Sequence, residues 1–185
     1  MRKVVSSLFI TLDGIVEAPD QWQGDVFDDD LGNALTQLMA LEDTILLGRK
    51  SYEEWCSFWP TSNDEPYASY INKSPKYVVS TSLDRAEWGE YDNIQVIKDH
   101  VADEVLRLKQ QPGKNISIGG SPTLVRYLLN QGLVDELNLI VHPVVVGKGK
   151  HLFDENTDLR RLKLTNNRTT SKGVVILTYQ PIQKD

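Results

Sequence analysis

The chain has 185 residues, 40% of them hydrophobic and 25% charged, with 26 acidic against 20 basic side chains and a net charge of −6 at pH 7. That length suits one well-cored domain over residues 1–185, and the acidic balance disfavours a nucleic-acid partner, whose phosphate backbone rewards a basic surface. No apolar run approaches a membrane span, and the lone Cys56 has no intramolecular disulfide partner, so a reduced, cytoplasmic setting with no membrane partner is expected.

The first strand-like segment covers residues 3–11, entered directly from Met1 without the apolar core of a signal peptide. Leu31, Leu35, Leu38 and Met39 then follow the i, i+4, i+7, i+8 spacing of an amphipathic helix, behind Asp28-Asp29-Asp30. A strand over 43–47 runs into Gly48-Arg49-Lys50-Ser51. Residues 58–74 carry little pattern apart from a short helix expected over 66–72. Strands over 76–80 and 94–97 follow, then a helix marked by Val101, Val105 and Leu108 with Asp99 as its expected cap.

The strand over 115–118 leads through Gly119 and Gly120 into Ser121-Pro122-Thr123-Leu124. Serine suits an N-cap, proline suits the first helical position, and a helix start presents N–H groups to an anion. Alone, this turn reads equally as a phosphate cradle or as an ordinary strand-to-helix corner. The helix through Leu124, Val125, Leu128 and Leu129 stops near Gly132. Strands over 136–146, 159–166 and 174–179 complete the chain. Alternating strands and helices predict an α/β domain whose sheet is mostly parallel. The last two strands have no room for a crossover helix between them, so they pair antiparallel and make the sheet mixed.

Ligands of open α/β sheets bind beyond the carboxyl ends of the strands. Three such ends share small hydrogen-bonding groups: Gly48-Arg49-Lys50-Ser51, Ser80-Thr81-Ser82 and Gly119-Gly120-Ser121. Any one is explained by a surface turn. All three together point to one anion-binding crevice, to which Arg49 adds a fork suited to phosphate. Asp30 is a candidate proton donor or ring-binding carboxylate, and helix capping by the acidic triplet stands beside that role. Trp55, Phe58 and Trp59 form core or a pocket wall. The three histidines lack metal-ligand spacing, so no metal is expected. Gly147-Lys148-Gly149-Lys150 is a second glycine-rich turn, open to reading as a loose basic hairpin.

The run Leu46-Leu47-Gly48-Arg49-Lys50-Ser51-Tyr52-Glu53 resembles the strand-to-helix cofactor loop of dihydrofolate reductases. Ile118-Gly119-Gly120-Ser121-Pro122-Thr123-Leu124, then Gly132-Leu133-Val134-Asp135-Glu136-Leu137 and Pro143-Val144-Val145-Val146-Gly147-Lys148-Gly149, are similar to the riboflavin-pathway reductase domains of the RibD C-terminal family. Thr11-Leu12-Asp13-Gly14 resembles that family's Ser-Leu-Asp-Gly segment. The resemblance covers essentially the whole chain.

The resemblance implies a three-layer α/β/α dihydrofolate reductase-like fold, a homodimer, and NADPH laid across the strand ends. Gly48, Arg49 and Ser51 would lie near the adenosine ribose phosphate, with Ser80, Thr81 and Ser82 on the same half. Gly119, Gly120, Ser121 and Thr123 would receive the pyrophosphate. Asp30 falls where dihydrofolate reductases carry a helix-borne carboxylate. Phe9, Asp13, Glu17 and Trp22 fall in and around the segment over the nicotinamide and, with Trp55, would shape the substrate pocket. The implied reaction is hydride transfer to a small heterocycle or imine, such as a pyrimidine of the 5-amino-6-(5-phosphoribosylamino)uracil type or a pterin. The chain departs from the riboflavin enzymes at Glu42-Asp43-Thr44 and Ser51-Tyr52-Glu53-Glu54-Trp55, and their deaminase domain is missing from these residues. Substrate identity is therefore open, and a noncatalytic module binding NADPH or another small molecule is the alternative.

Overall fold

A computed structural model describes residues 1–155 and 157–182; Asn156 and residues 183–185, which fall within the single domain expected over 1–185, lie outside the described residues. Its elements, in order, are β1 (Val4–Thr11), α1 (Pro19–Trp22), α2 (Asp29–Met39), β2 (Glu42–Gly48), α3 (Arg49–Phe58), α4 (Tyr67–Lys73), β3 (Lys76–Val79), β4 (Ile94–Ile97), α5 (Val101–Gln110), β5 (Asn115–Gly119), α6 (Pro122–Asn130), β6 (Glu136–His142), β7 (Leu162–Thr169) and β8 (Val175–Pro181).

Eight strands form one sheet in the order β4-β3-β2-β5-β1-β6-β8-β7, parallel from β4 through β6. Only β8 runs against the rest, pairing antiparallel with both β6 and β7. The fold is the expected mixed, dihydrofolate reductase-like sheet with a C-terminal antiparallel hairpin. Period-two alternation sends successive side chains to opposite faces and so builds two apolar layers. Val4, Leu8, Leu46, Ile116 and Ile118 pack against α5 and α6. Ile45, Leu47 and Val78 pack with Ile71 of α4 and the aromatic side of α3, while Ile140 packs beside Leu31 and Ala34 of α2.

Three departures from the sequence expectation have a clear local cause. The strand expected over 136–146 ends at His142, because Pro143 has no N–H for the ladder. Beyond it, Val144 turns back to His142 and accepts from Leu12 N at 2.9 Å. The strand expected over 159–166 is shifted to Leu162–Thr169 by its register with β8, leaving Leu159 exposed. The helix after β4 is flanked by His100 at φ +48° instead of by an Asp99 side-chain cap.

The connections place the crevice. From the end of β2 the chain passes through α3 toward β3; from the end of its neighbour β5 it passes through α6 to β6, on the other side. Diverging connections from adjacent strands leave an opening at their carboxyl ends.

Candidate functional site

A crevice of about 1860 Å³ opens at those ends and continues down the face of the sheet that carries α2, α3 and α4. Its strand-end half is lined by Gly48–Ser51, by 119–124, and by 100–103 at the start of α5. Its far half is lined by Ile45 and Glu42 of β2, Leu35, Leu38 and Met39 of α2, and an aromatic group from Trp55 to Tyr70, while Ser7 and Phe9 of β1 line it level with the strand ends.

Two loops are stitched together at the strand ends. Ser51 Oγ donates to Gly120 O at 2.8 Å, tying the start of α3 to the turn before α6. Ser121 caps α6 by accepting from Leu124 N, and Pro122 opens the helix. A Cβ on Gly48 would overlap Ser121 Oγ, so a glycine permits this close approach. Gly119 answers first to packing: a Cβ there would lie 2.8 Å from both Leu47 Cδ2 and Trp55 Cη2. Gly120 has φ +56°, the left-handed region in which glycine is least strained. The glycine pair thus seats the Trp55 indole at the junction of the two halves.

Charge is unevenly divided. The basic lining residues are Arg49, Lys50, His100 and Lys150, each beyond a strand's carboxyl end. Arg49 Nη1 pairs with Glu53 Oε1 at 2.7 Å along α3. Lys150 Nζ meets Glu17 Oε1 at 2.5 Å, and this contact holds the Glu17 carboxyl below its usual range. The glycine-rich turn over 147–150 is therefore no loose hairpin: Val16 N donates to Lys150 O and Leu152 N to Gly14 O. Asp13 completes this strap. Its carboxylate accepts from Thr11 Oγ1, Val146 N and Gly147 N, which pull its pKa down to about 2.

At the far end the polar groups are buried. Glu42 is 8% exposed and accepts from Tyr70 Oη at 2.8 Å, with the Ser117 hydroxyl as a second partner. Burial pushes the Glu42 carboxyl up, and burial beside Glu42 pushes the Tyr70 phenol up.

Of the residues singled out in the sequence, Gly48, Arg49, Ser51, Gly119, Gly120, Ser121, Thr123, Phe9, Glu17 and Trp55 line this crevice, as do Phe58 and Trp59. Others do not. Ser80, Thr81 and Ser82 form a turn in which Ser80 Oγ accepts from Ser82 N and Leu83 N, next to the lining residue Val79. Asp13 sits in the strap just described. Trp22 packs edge-on against His142, as Phe9 does, and donates to Glu17 O. His142 is fully buried, its pKa lowered by burial, with Nδ1 at Ile140 O. Asp30 lies off the crevice: it accepts from Ser171 N at 3.0 Å and faces Arg168, tying α2 to the turn between β7 and β8. The cap of α2 is Asp28, whose carboxylate also accepts from Ser171 and Lys172.

Glu42, Tyr70, Ser117, Lys50 and Lys150 were not picked out as site residues from sequence. Lys50 and Lys150 fall in glycine-rich turns that the sequence does mark, whereas Glu42, Tyr70 and Ser117 carry no local signal beyond an acidic residue at the start of a strand.

The model of the RibD C-terminal domain matches residues 2–176. The chain belongs to the RibD C-terminal domain family. Within reach of that family, uncharacterized protein YyaP of Bacillus subtilis (strain 168) is 37% identical over 186 residues, covering 96% of this chain and 94% of YyaP. A putative riboflavin biosynthesis protein from Shewanella sp. PV-4 superposes with a TM-score of 0.80 at 20% identity, covering 99% and 100% of the two chains. Dihydrofolate reductase from Enterococcus faecalis, solved with NADP(H), superposes with a TM-score of 0.61 at 15% identity, covering 98% and 97%. The RibD C-terminal domain family and dihydrofolate reductase thus share this sheet. Among the described residues no helix is long and apolar enough to cross a membrane, and no three His, Cys, Asp or Glu side chains are grouped to hold a metal ion.

Proposed function

We propose that the chain is an NADPH-dependent reductase whose crevice holds the cofactor in its strand-end half and a small heterocyclic or imine substrate in its aromatic half. The observation that carries this is the continuity of one crevice from a glycine-lined, cation-rimmed helix start to an aromatic floor. The residues present fit a dinucleotide phosphate. The N-terminus of α6 favours an anion, and Thr123 lines the crevice one residue past Pro122. Arg49 suits the 2′-phosphate that separates NADPH from NADH, and the Ser80–Ser82 turn borders the same half.

When bound, the cofactor supplies a hydride to a C=N or C=C bond. The chain's own part is to bind, orient and exclude water. Trp55, Phe58 and Trp59 offer flat apolar surface to a planar ring, and Phe9 of β1 adds an aromatic face near the strand ends, where the two halves meet. Pyrimidine and pterin rings are the substrates that family membership favours. The family likeness also favours a homodimer; the exposed edge strand β7, with Leu164 and the nearby Ile182, offers a surface for it, which light scattering checks.

Calorimetric titration tests the cofactor. NADPH is expected to bind more tightly than NADH, and Arg49→Ala to weaken NADPH alone by roughly 1.5–3 kcal/mol, the usual worth of a hydrogen bond to a charged group. Equal affinities in the wild-type protein would sink the proposal. The position of Asp30, away from the crevice, favours one second reading: a module that binds NADPH without chemistry. NADPH absorbance monitored against pterins, pyrimidines and simple imines separates the two, since a module binds the cofactor tightly and oxidises it with none of them.

A further inference from the structure

The crevice runs the length of β2. From Gly48 at one end to Glu42 at the other is six residues, about 20 Å at roughly 3.3 Å per residue. Along that path its character reverses. All four basic lining residues belong to loops or helix starts beyond strand carboxyl ends. At the opposite end the lining is Leu38, Met39, Ile71, Tyr67, Tyr70 and the carboxyl of Glu42, with Asp64 nearby in sequence to α4. No ion pair reaches Glu42 among the described residues; its partners are the uncharged Tyr70 and Ser117 hydroxyls.

We infer that the far end of the crevice selects a substrate whose distal group donates hydrogen bonds and carries neither phosphate nor carboxylate. This rests on the reading that the strand-end half holds the cofactor, which leaves the far half for substrate. A buried carboxyl without a cation must stay neutral or meet a donor. A ligand hydroxyl, amide N–H or amine brings that donor. A phosphate or carboxylate brings a full negative charge to a wall of low polarity, where no lining cation compensates it and the cost exceeds that in water. Tyr70 and Ser117 fix the acceptor in place: the Tyr70 hydroxyl donates to Glu42 Oε2, the Ser117 hydroxyl is a second partner, and the lone pairs that these two leave are open to the ligand. Glu42 is therefore a specificity-determining residue, selecting against the phosphorylated ribosyl chain of a riboflavin-type pyrimidine.

Two pterins with one ring and different tails test this: 6-hydroxymethylpterin and pterin-6-carboxylate, titrated calorimetrically into the NADPH-free protein. The hydroxymethyl compound is expected to bind at least tenfold more tightly. Glu42→Gln and, as a second variant, Tyr70→Phe are expected to reduce that preference to less than threefold, with folding checked by circular dichroism. Equal binding, preference for the carboxylate, no binding of either pterin, or an unchanged preference in folded variants overturns the inference. A parallel NADPH titration of the same samples reports on the cofactor half. Tight NADPH binding with no pterin discrimination removes the inference alone, whereas failure to bind NADPH removes the cofactor reading itself.

Discussion

The two halves of the crevice are assembled by different means. At the strand ends the site is made of short contiguous segments, Gly48–Ser51 and 119–124, in which turn, cap and helix start are neighbours along the chain. At the far end it is made of single side chains from separate elements: Glu42 on β2, Tyr70 28 residues later on α4, and Ser117 on β5. A contiguous segment suits a ligand group shared by many proteins, because backbone N–H groups and a helix terminus recognise any phosphate. Scattered side chains suit discrimination, because each can change without disturbing the rest. Trp55 stands between the halves, against Gly119 on one side and in the aromatic wall on the other.

That division can be broken at its junction. Gly119→Ala sets a Cβ against Leu47 and Trp55, so overpacking of roughly 1–3 kcal/mol is expected in urea unfolding, together with a shift in tryptophan emission as the indole moves. Unchanged emission and stability would separate Trp55 from the glycine turn. A smaller effect is expected within the strand-end half. Gly48→Ala has a φ of −77° that any residue adopts, so its cost is steric: the new methyl displaces the Ser121 hydroxyl and weakens the α6 cap by about 0.5–2 kcal/mol. Pairing it with Ser121→Ala in a double-mutant cycle should show strong non-additivity, while additive losses would mean that the two loops do not act as one.

The far half is sharpened by pH. The Glu42 carboxyl has its pKa raised on folding, so between the ordinary value of 4.5 and the raised one the folded protein binds more protons than the unfolded chain. Stability contributed by the neutral acid is present below that window and is lost as pH rises through it. Glu42→Gln keeps a neutral partner for Tyr70 and removes this loss. The variant should gain on the wild type as pH rises from 4 to 8, the difference cancelling the opposite trend from carboxylates such as Asp13 and Asp28, whose lowered values favour higher pH. A constant difference across that range in urea titrations would show that Glu42 is solvated like a surface acid.

Much of the fold was legible because its signals are local. Leu31, Leu35, Leu38 and Met39 announce α2 by spacing alone, Ser121-Pro122 marks the start of α6, and the short link between the last strands dictates their antiparallel pairing. The strand beyond His142 was overextended because Val144, Val145 and Val146 keep an apolar pattern that Pro143 removes from the ladder. α3 carries no cap signal because it begins directly at the end of β2 with Gly48 in place of a polar cap; only the likeness to a strand-to-helix loop marks its start.

Contiguous residues carried the succession of strands and helices along the chain, the glycine-rich turns and the cation at Arg49, because periodicity, capping and turn chemistry act over a few residues. Strand register and helix docking decided the rest. They used the Ser51 hydroxyl to hold Gly120, turned Asp13 to the 146–147 backbone, and left Asp30 at the β7–β8 turn. They also buried Glu42 against Tyr70. These partners are dozens of residues apart, and a hydrogen bond between them exists only once the sheet has set which side chains share a face.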